Sequence, residues 1–350
     1  MKTVAALLTG IDQPLTIEEL DVPQLKEGQV LVDVTYSGLC RTQLNEIHGS
    51  KGEDKYLPHT LGHEGAGVVR EIGPHVEKVK PGDHVVLTWI KGKGADVPST
   101  AYRRPNGTVV NSGAVSTLMT RTVASENRLV KIPDTMPLRE ASLLGCAIPT
   151  GGGTILNLAK PALGSGIAIF GVGGVGLSAL LMAKAAQPRT LIAVDIHEQK
   201  LRQARALGAT HVIDASRQDT LSVVLSLTNG LGVDYAIECA GVRQSMEMAF
   251  RSVRNNGGLC VLAGNLPSGQ QISIDPFDLI KGKRIVGTWG GETKPDSDIP
   301  RYADTYLSGQ LNLGALITHA YGLQEINRAF EDLEQGRGGR LLVDMDLLRN

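Results

Sequence analysis

Aromatic residues are scarce in this chain of 350 residues: four Phe, seven Tyr and two Trp, 4% in all. An excess of charge of either sign is also missing. The 35 Lys and Arg nearly match the 36 Asp and Glu, for a net charge of −1, which leaves no electrostatic footprint for nucleic acid or an anionic membrane surface. The four cysteines, Cys40, Cys146, Cys239 and Cys260, stand too far apart for a disulfide framework. No apolar run approaches the length of a membrane span. The opening MKTVAALLTG has one lysine and too short an apolar stretch for a secretory signal. Internal repeats, heptads and low-complexity linkers are lacking too. Together these absences point to a cytoplasmic globular protein long enough for two domains. Glycine is what abounds, with 42 residues, and that suits a turn-rich fold that admits ligands.

The glycines that organise the chain lie in 168–195, AIFGVGGVGLSALLMAKAAQPRTLIAVD. An apolar, partly β-branched run, 167–170, reads as a buried strand. Gly171, Gly173 and Gly176 follow at G-x-G-x-x-G spacing, then a helical stretch, then a second apolar run ending in Asp195. Strand, glycine turn, helix, strand and acid form the full context of a dinucleotide-binding fingerprint. Gly171 permits the tight turn, Gly173 lets backbone approach a pyrophosphate, and Gly176 lets the helix pack on the strand. The N–H groups at the helix start face the phosphates. Asp195 would accept hydrogen bonds from the adenosine ribose hydroxyls and repel a 2′-phosphate, which favours NAD over NADP.

The rest of the chain arranges itself around that turn. Residues 1–90 read as β-rich, with strands expected at 4–8, 15–20, 30–36, 65–72 and 84–87, as in a compact barrel-like domain. Residues 91–116, rich in Gly, Lys, Pro and Ser, show no period and read as a surface excursion. Residues 123–132 return to strand-like sequence, and a helix is expected from 137. From 166 to about 289, apolar runs at 167–170, 191–194, 211–213, 235–238, 259–263 and 285–288 alternate with helical stretches. That is the pattern of a doubly wound parallel sheet. Helices at 299–308 and 324–335 and a strand at 340–345 are expected to rejoin the first domain.

Outside the glycine turn, Cys40, His63 and Cys146 have the residue types of a catalytic zinc site, which takes three protein ligands and leaves a fourth position open. Types alone do not decide this, since a lone Cys is as readily a small buried hydrophobe. Local sequence adds more: Gly38-Leu39-Cys40-Arg41-Thr42, Gly62-His63-Glu64-Gly65-Ala66-Gly67, Leu144-Gly145-Cys146, Thr150-Gly151, the glycine fingerprint, Leu316-Ile317-Thr318-His319 and the strand at Arg340. In these motifs, over nearly its whole length, the chain resembles a zinc-dependent alcohol dehydrogenase of the medium-chain dehydrogenase/reductase superfamily.

The resemblance implies an α/β protein. A GroES-like, β-rich catalytic domain would occupy 1–148, completed by 291–350, and a Rossmann cofactor domain 149–290. It implies Cys40, His63 and Cys146 as zinc ligands, with Glu64 just behind the metal or occasionally on it. Thr42 would hydrogen-bond the alcohol and take its proton, and Trp89 would line the substrate pocket. Arg41 and Arg340 would grip the pyrophosphate, Lys200 would reach the adenosine ribose, and Thr150 would lie behind the nicotinamide. Gly174, Val175 and Ala263 would also touch the cofactor. The implied cofactors are zinc and NAD, and the implied substrate is a small alcohol, polyol or sugar derivative with its aldehyde or ketone. A homodimer or homotetramer is expected, with 270–276 (QQISIDP) as the pairing edge strand. Two other readings remain: a zinc-free reductase of the same superfamily, and a dinucleotide-binding protein without catalysis.

Departures from the family pattern carry their own expectations. Residues 91–116 contain none of the clustered cysteines that hold a second, structural zinc in many relatives, so one zinc per subunit is expected. Asn45 stands where relatives often have a proton-relaying histidine; the relay then ends at the ribose hydroxyl and water, or uses His48, three residues on and on the same face if the segment is helical. Gln43 stands where relatives place the Asp that orients the ligand histidine. Tyr102, Arg103 and Arg104 could meet a polar substrate if their loop folds over the pocket. Cys239 and Cys260 read as core, and His197 as surface or adenine-adjacent.

Overall fold

The computed structural model describes residues 1–348. They form two compact units: Met1–Cys146 with Lys294–Gln335 and the chain from Arg340, and Ala147–Thr293 with Gly336–Gly339.

The first unit is built on two sheets. The larger runs Leu129–Lys131, His84–Thr88, Glu64–Ile72, Gln29–Gly38, Arg340–Asp344, Ile317–Gly322, with Arg121–Ser125 also on Gln29–Gly38. Alternation in VLVDVTY puts Val30, Val32 and Val34 into the core beside Val69, Val85, Leu87 and Leu341. The strand Arg340–Asp344 pairs antiparallel with Gln29–Gly38 and parallel with Ile317–Gly322, so the late part of the sequence extends the sheet that Gln29–Gly38 centres. Helix Ile326–Glu334 covers the same core with Ile326, Ala329 and Phe330.

Two sequence expectations change here. The run 123–132 is two strands, Arg121–Ser125 and Leu129–Lys131, split by the 3-10 turn Glu126–Arg128. The turn is where the Glu126 carboxylate takes the N–H groups of Glu77, Lys78 and Ala95. Residues 91–116 are not a solvated excursion. Tyr102–Arg103 and Val109–Val110 form a hairpin that extends the second sheet, in the order His59–Thr60, Lys2–Leu8, Thr16–Asp21, Tyr102–Arg103, Val109–Val110. Tyr102 and Val110 are buried with Ala5, Leu7, Leu20 and Met119, and the Tyr102 hydroxyl accepts the Val123 N–H at 2.8 Å.

The second unit is a six-stranded, all-parallel sheet in the order His211–Asp214, Thr190–Asp195, Gly166–Phe170, Tyr235–Glu238, Leu259–Leu262, Arg284–Gly287. Its strands are near-continuous apolar runs because helices cover both faces. The order reverses beside Gly166–Phe170, and ligands bind outside the strand ends at such a switch point. Residues 270–275 form no ladder with other described residues of this chain, and the two edges of the sheet are His211–Asp214 and Arg284–Gly287. Among the described residues no helix is long and apolar enough to cross a membrane.

Candidate active site

Three breaks in regular structure bring the metal-ligand candidates together. Cys40 is the residue before helix Arg41–Ile47, in extended conformation. His63 leads into strand Glu64–Ile72. It follows Gly62, whose φ of +100° and approach to Thr117, 2.4 Å from where a Cβ would lie, admit only glycine. Cys146 sits between the 3-10 turn Ser142–Gly145 and helix Ala147–Gly153. Their donor atoms all lie within 4.8 Å of one another. The contact from Cys146 holds the Cys40 thiol well below its ordinary value against burial, helped by His63 and Arg340. Two thiols, one easily ionised, and an imidazole are a zinc donor set with room for a fourth ligand.

Behind them lies a buried ion pair. Glu64 is 0% exposed and Arg340 3%, and Arg340 Nη2 meets Glu64 Oε1. Gly38 leaves the space that both charges fill. The pairing occupies one side of the guanidinium; its Nε has no protein hydrogen bond.

Two expectations near Cys40 need correction. Gln43 does not turn its acceptor to His63: Oε1 takes the Cys40 N–H at 2.7 Å, and Nε2 is buried without a partner. His48 closes the helix as its C-cap, its N–H still on the Leu44 carbonyl, but its ring is engaged elsewhere. Its ring lies between Asp12, at 2.6 Å, and Glu334, at 3.2 Å. It is absent from the walls of the neighbouring cavity, so the relay role has no geometric support. Arg41 is exposed and Thr42 half-buried on the first helical turn.

That cavity, of about 640 Å³, reaches His63 and Trp89. Arg128, itself buried, donates to the Trp89 carbonyl and fixes that wall. The flanks of 91–116 line it through Ser99, Thr100 and Asn111. Tyr102, Arg103 and Arg104 do not: Tyr102 is core, Arg103 bonds the Gly107 carbonyl, and Arg104 grips Glu18 with two bonds of 2.7 and 2.9 Å. Sequence reasoning missed Asp54 and His59 on the same wall. His59 Nε2 lies 2.8 Å from Asp54 Oδ2, and its Nδ1 3.0 Å from the Thr60 carbonyl. Burial raises the Asp54 carboxyl, but the Tyr56 N–H and His59 outweigh it and hold it below the ordinary range. A second histidine four residues before His63 was the signal available.

The glycine turn has the form a dinucleotide requires. Gly171 has φ +81°, with the Ala240 N–H nitrogen 2.6 Å from where a Cβ would lie. At Gly176 a Cβ would stand 2.0 Å from the Gly171 carbonyl oxygen, whereas at Gly173 nothing lies within 4 Å. Helix Gly174–Ala185 starts without any side-chain cap, so its first N–H groups suit phosphate. Asp195 bridges the site: Oδ2 accepts from Val172 N–H, and Oδ1 from Ile196 and His197 N–H. Gly174 and Val175 are half-buried at the helix start, as is Lys200 in helix Glu198–Leu207. Ala263 follows strand Leu259–Leu262 and donates to the Glu238 carbonyl. Thr150 is buried, and its hydroxyl has no protein partner. The sequence did not mark Glu238, whose buried carboxyl accepts from Ala240 and Gly241 and holds the turn against Gly171. Burial pushes that carboxyl up. The open space at Gly173, the uncapped helix and the orphaned Thr150 hydroxyl all fit NAD. Burial also raises the Cys239 and Cys260 thiols; Cys260 is core as expected, whereas Cys239, just past the end of its strand, is half-buried.

Comparison with known proteins adds to this geometry. Residues 26–134 match the alcohol dehydrogenase GroES-like domain, and residues 174–308 the zinc-binding dehydrogenase family. An S-(hydroxymethyl)glutathione dehydrogenase of Synechocystis sp. is 32% identical over 98% of this chain and 100% of its own. One from Escherichia coli is 34% identical with the same coverage. Among solved structures, an alcohol dehydrogenase zinc-binding domain protein from Burkholderia ambifaria superposes with a TM-score of 0.91 at 32% identity. Benzyl alcohol dehydrogenase from Acinetobacter calcoaceticus gives 0.88 at 30%; each pair covers 98% of this chain and 99% of the other.

Proposed function

The chain belongs to the zinc-dependent alcohol dehydrogenases of the medium-chain dehydrogenase/reductase superfamily, and we propose that Cys40, His63 and Cys146 are the ligands of its single, catalytic zinc. It is an NAD-dependent oxidoreductase that interconverts an alcohol and its carbonyl compound. The observation that carries the ligand assignment is the convergence of three donor atoms within 4.8 Å. When bound, zinc acidifies the alcohol and NAD takes up the hydride.

The chain's own residues supply the rest. Thr42, two residues beyond Cys40, accepts a hydrogen bond from the substrate hydroxyl and, as it takes that proton, passes its own on to water. Trp89 bounds the substrate. Glu64 and Arg340 hold the ligand shell from behind, with Arg340 Nε left for a pyrophosphate oxygen, and Arg41 lies on the exposed side. Gly173, Gly174, Val175 and the helix start receive the pyrophosphate. Asp195 and Lys200 take the adenosine ribose, while Thr150 and Ala263 flank the nicotinamide. The Cys40–Cys146 contact needs reduced thiols, which suits the cytoplasm. The open edge Arg284–Gly287 suits a homodimer.

The substrate panel includes the S-(hydroxymethyl)glutathione and benzyl alcohol named for relatives. Purified protein is expected to hold one zinc per subunit and to oxidise at least one alcohol with NAD⁺. Cys40→Ser abolishes both zinc and activity while leaving the melting curve cooperative. Two zinc ions per subunit, or full activity in Cys40→Ser, sinks the assignment. A zinc-free reductase would keep its activity through that substitution.

A further inference from the structure

The cavity beside His63 has more charge on its walls than an alkyl or benzylic alcohol requires. Three carboxylates, Glu46, Glu53 and Asp54, line it against one ammonium, Lys51, and the imidazole of His59. Lys51 pairs with Glu46 and His59 with Asp54, so Glu53 is left over and the lining is net negative. Lining of that sign disfavours a substrate of net negative charge, including a glutathione adduct, whose two carboxylates outnumber its one ammonium.

The Asp54–His59 pair is also unusually sheltered for a surface cavity, with side chains 17% and 12% exposed. It is held from several sides. Asp54 Oδ1 accepts the Tyr56 N–H at 2.9 Å, Oδ2 faces His59, and His59 reaches the Thr60 carbonyl. A carboxylate has about four lone-pair sites, so roughly two of Asp54's remain for a ligand. An apolar chain pressed against this pair would strip its remaining water and return no hydrogen bond, a net loss. A hydroxyl would replace the water.

We propose that the cavity selects a neutral polyhydroxylated alcohol, of the polyol or sugar-alcohol class, and that Asp54, fixed by His59, reads a hydroxyl other than the one oxidised. This deepens the reading of the site as that of an alcohol dehydrogenase and rests on it. Asp54 is a specificity residue: it accepts a hydrogen bond from the substrate and takes no part in the hydride step.

The test uses the zinc-loaded enzyme with NAD⁺ and compares xylitol, pentan-1-ol, benzyl alcohol and S-(hydroxymethyl)glutathione. Xylitol is expected to exceed pentan-1-ol in kcat/KM by about tenfold or more, since a site built around a substrate hydroxyl discriminates against its deoxy analogue. Asp54→Asn lowers the xylitol-to-pentan-1-ol ratio about tenfold, mainly through KM for xylitol. His59→Gln moves it the same way if Asp54→Asn fails to fold. A preference for pentan-1-ol, benzyl alcohol or the glutathione adduct overturns the proposal, as does an unchanged ratio in a folded variant. Binding gives an independent readout. Of the two tryptophans, Trp89 lines the cavity, so xylitol should quench protein fluorescence saturably, and more weakly in Asp54→Asn. If no alcohol is oxidised, the dehydrogenase reading fails, and the quench still decides this proposal: a saturable, Asp54-dependent quench supports it and a flat titration ends it.

Discussion

Glu64 and Arg340 are both almost wholly removed from water, so neither charge can stand without the other. Removing one partner of a buried pair typically costs about 3–5 kcal/mol, whereas replacing both is far milder. Arg340→Met is therefore expected to lose about 3–5 kcal/mol in urea unfolding, and Arg340→Met with Glu64→Gln to recover most of it. Equal losses in the single and double variants would show that the pair is not what holds the site. At this scale the sequence was uneven. It marked both residues, but their pairing joins the strands Glu64–Ile72 and Arg340–Asp344 across Gln29–Gly38, a contact no local pattern contains. It offered His48 by its spacing of three from Asn45, yet the ring of this C-cap residue meets Asp12 and Glu334. His59, with no periodic context, went unmarked and faces the cavity.

Among the elements, the glycine turn was the most legible, because each glycine answers a separate steric demand. Those demands can be separated by experiment. At Gly173 an added methyl meets nothing in the protein, and its φ of −77° is open to alanine. Gly173→Ala is expected to melt like the parent while its NAD Kd rises about tenfold or more, some 1.4 kcal/mol. At Gly176 the methyl would collide with the Gly171 carbonyl, and Gly176→Ala should lose about 1–3 kcal/mol of stability. Calorimetric melting and NAD titration of both variants check the contrast; unchanged NAD affinity in Gly173→Ala would remove the pyrophosphate from that spot.

The turn Glu126–Arg128 was illegible, since its cause is a carboxylate reaching loops far away in sequence. Burial raises Glu126, but the N–H groups of Ala95, Lys78 and Glu77 outweigh burial and hold it below its ordinary range. Its folded pKa is thus below the unfolded one. Its contribution is present above the unfolded pKa and lost as pH falls through the folded value. Urea midpoints from about pH 7 to about pH 3 should fall less steeply in Glu126→Gln than in the parent, and parallel curves would contradict the sign. The hairpin in 91–116 was hidden differently. Its strands are two residues each, too short to show alternation, and Tyr102 is a single apolar anchor in a polar segment.

At the scale of the molecule, the parallel sheet of the second unit could be read strand by strand, because burial on both faces leaves continuous apolar runs. What a single sequence cannot display is where that sheet stops. Arg284–Gly287 pairs only with Leu259–Leu262 among the described residues, leaving a row of backbone donors and acceptors without ladder partners. Beside it, helix Pro276–Ile280 exposes Phe277 at 55% and Ile280 at 75%, and Trp289 just past the strand is 75% exposed. Burying such a side chain is worth about 1.5–3 kcal/mol, so a few of them on a self-complementary patch outweigh much of the entropy of pairing two copies. An open edge next to large apolar side chains is also an aggregation hazard unless another chain covers it. The purified protein is therefore expected to be a dimer by light scattering at micromolar concentration. Ile280→Glu places a charge on each copy where they would meet and should shift it to monomer, with NAD affinity at the Gly171–Gly176 turn retained. A monomeric parent, or an Ile280→Glu dimer as tight as the parent, would mean that this edge faces water in solution.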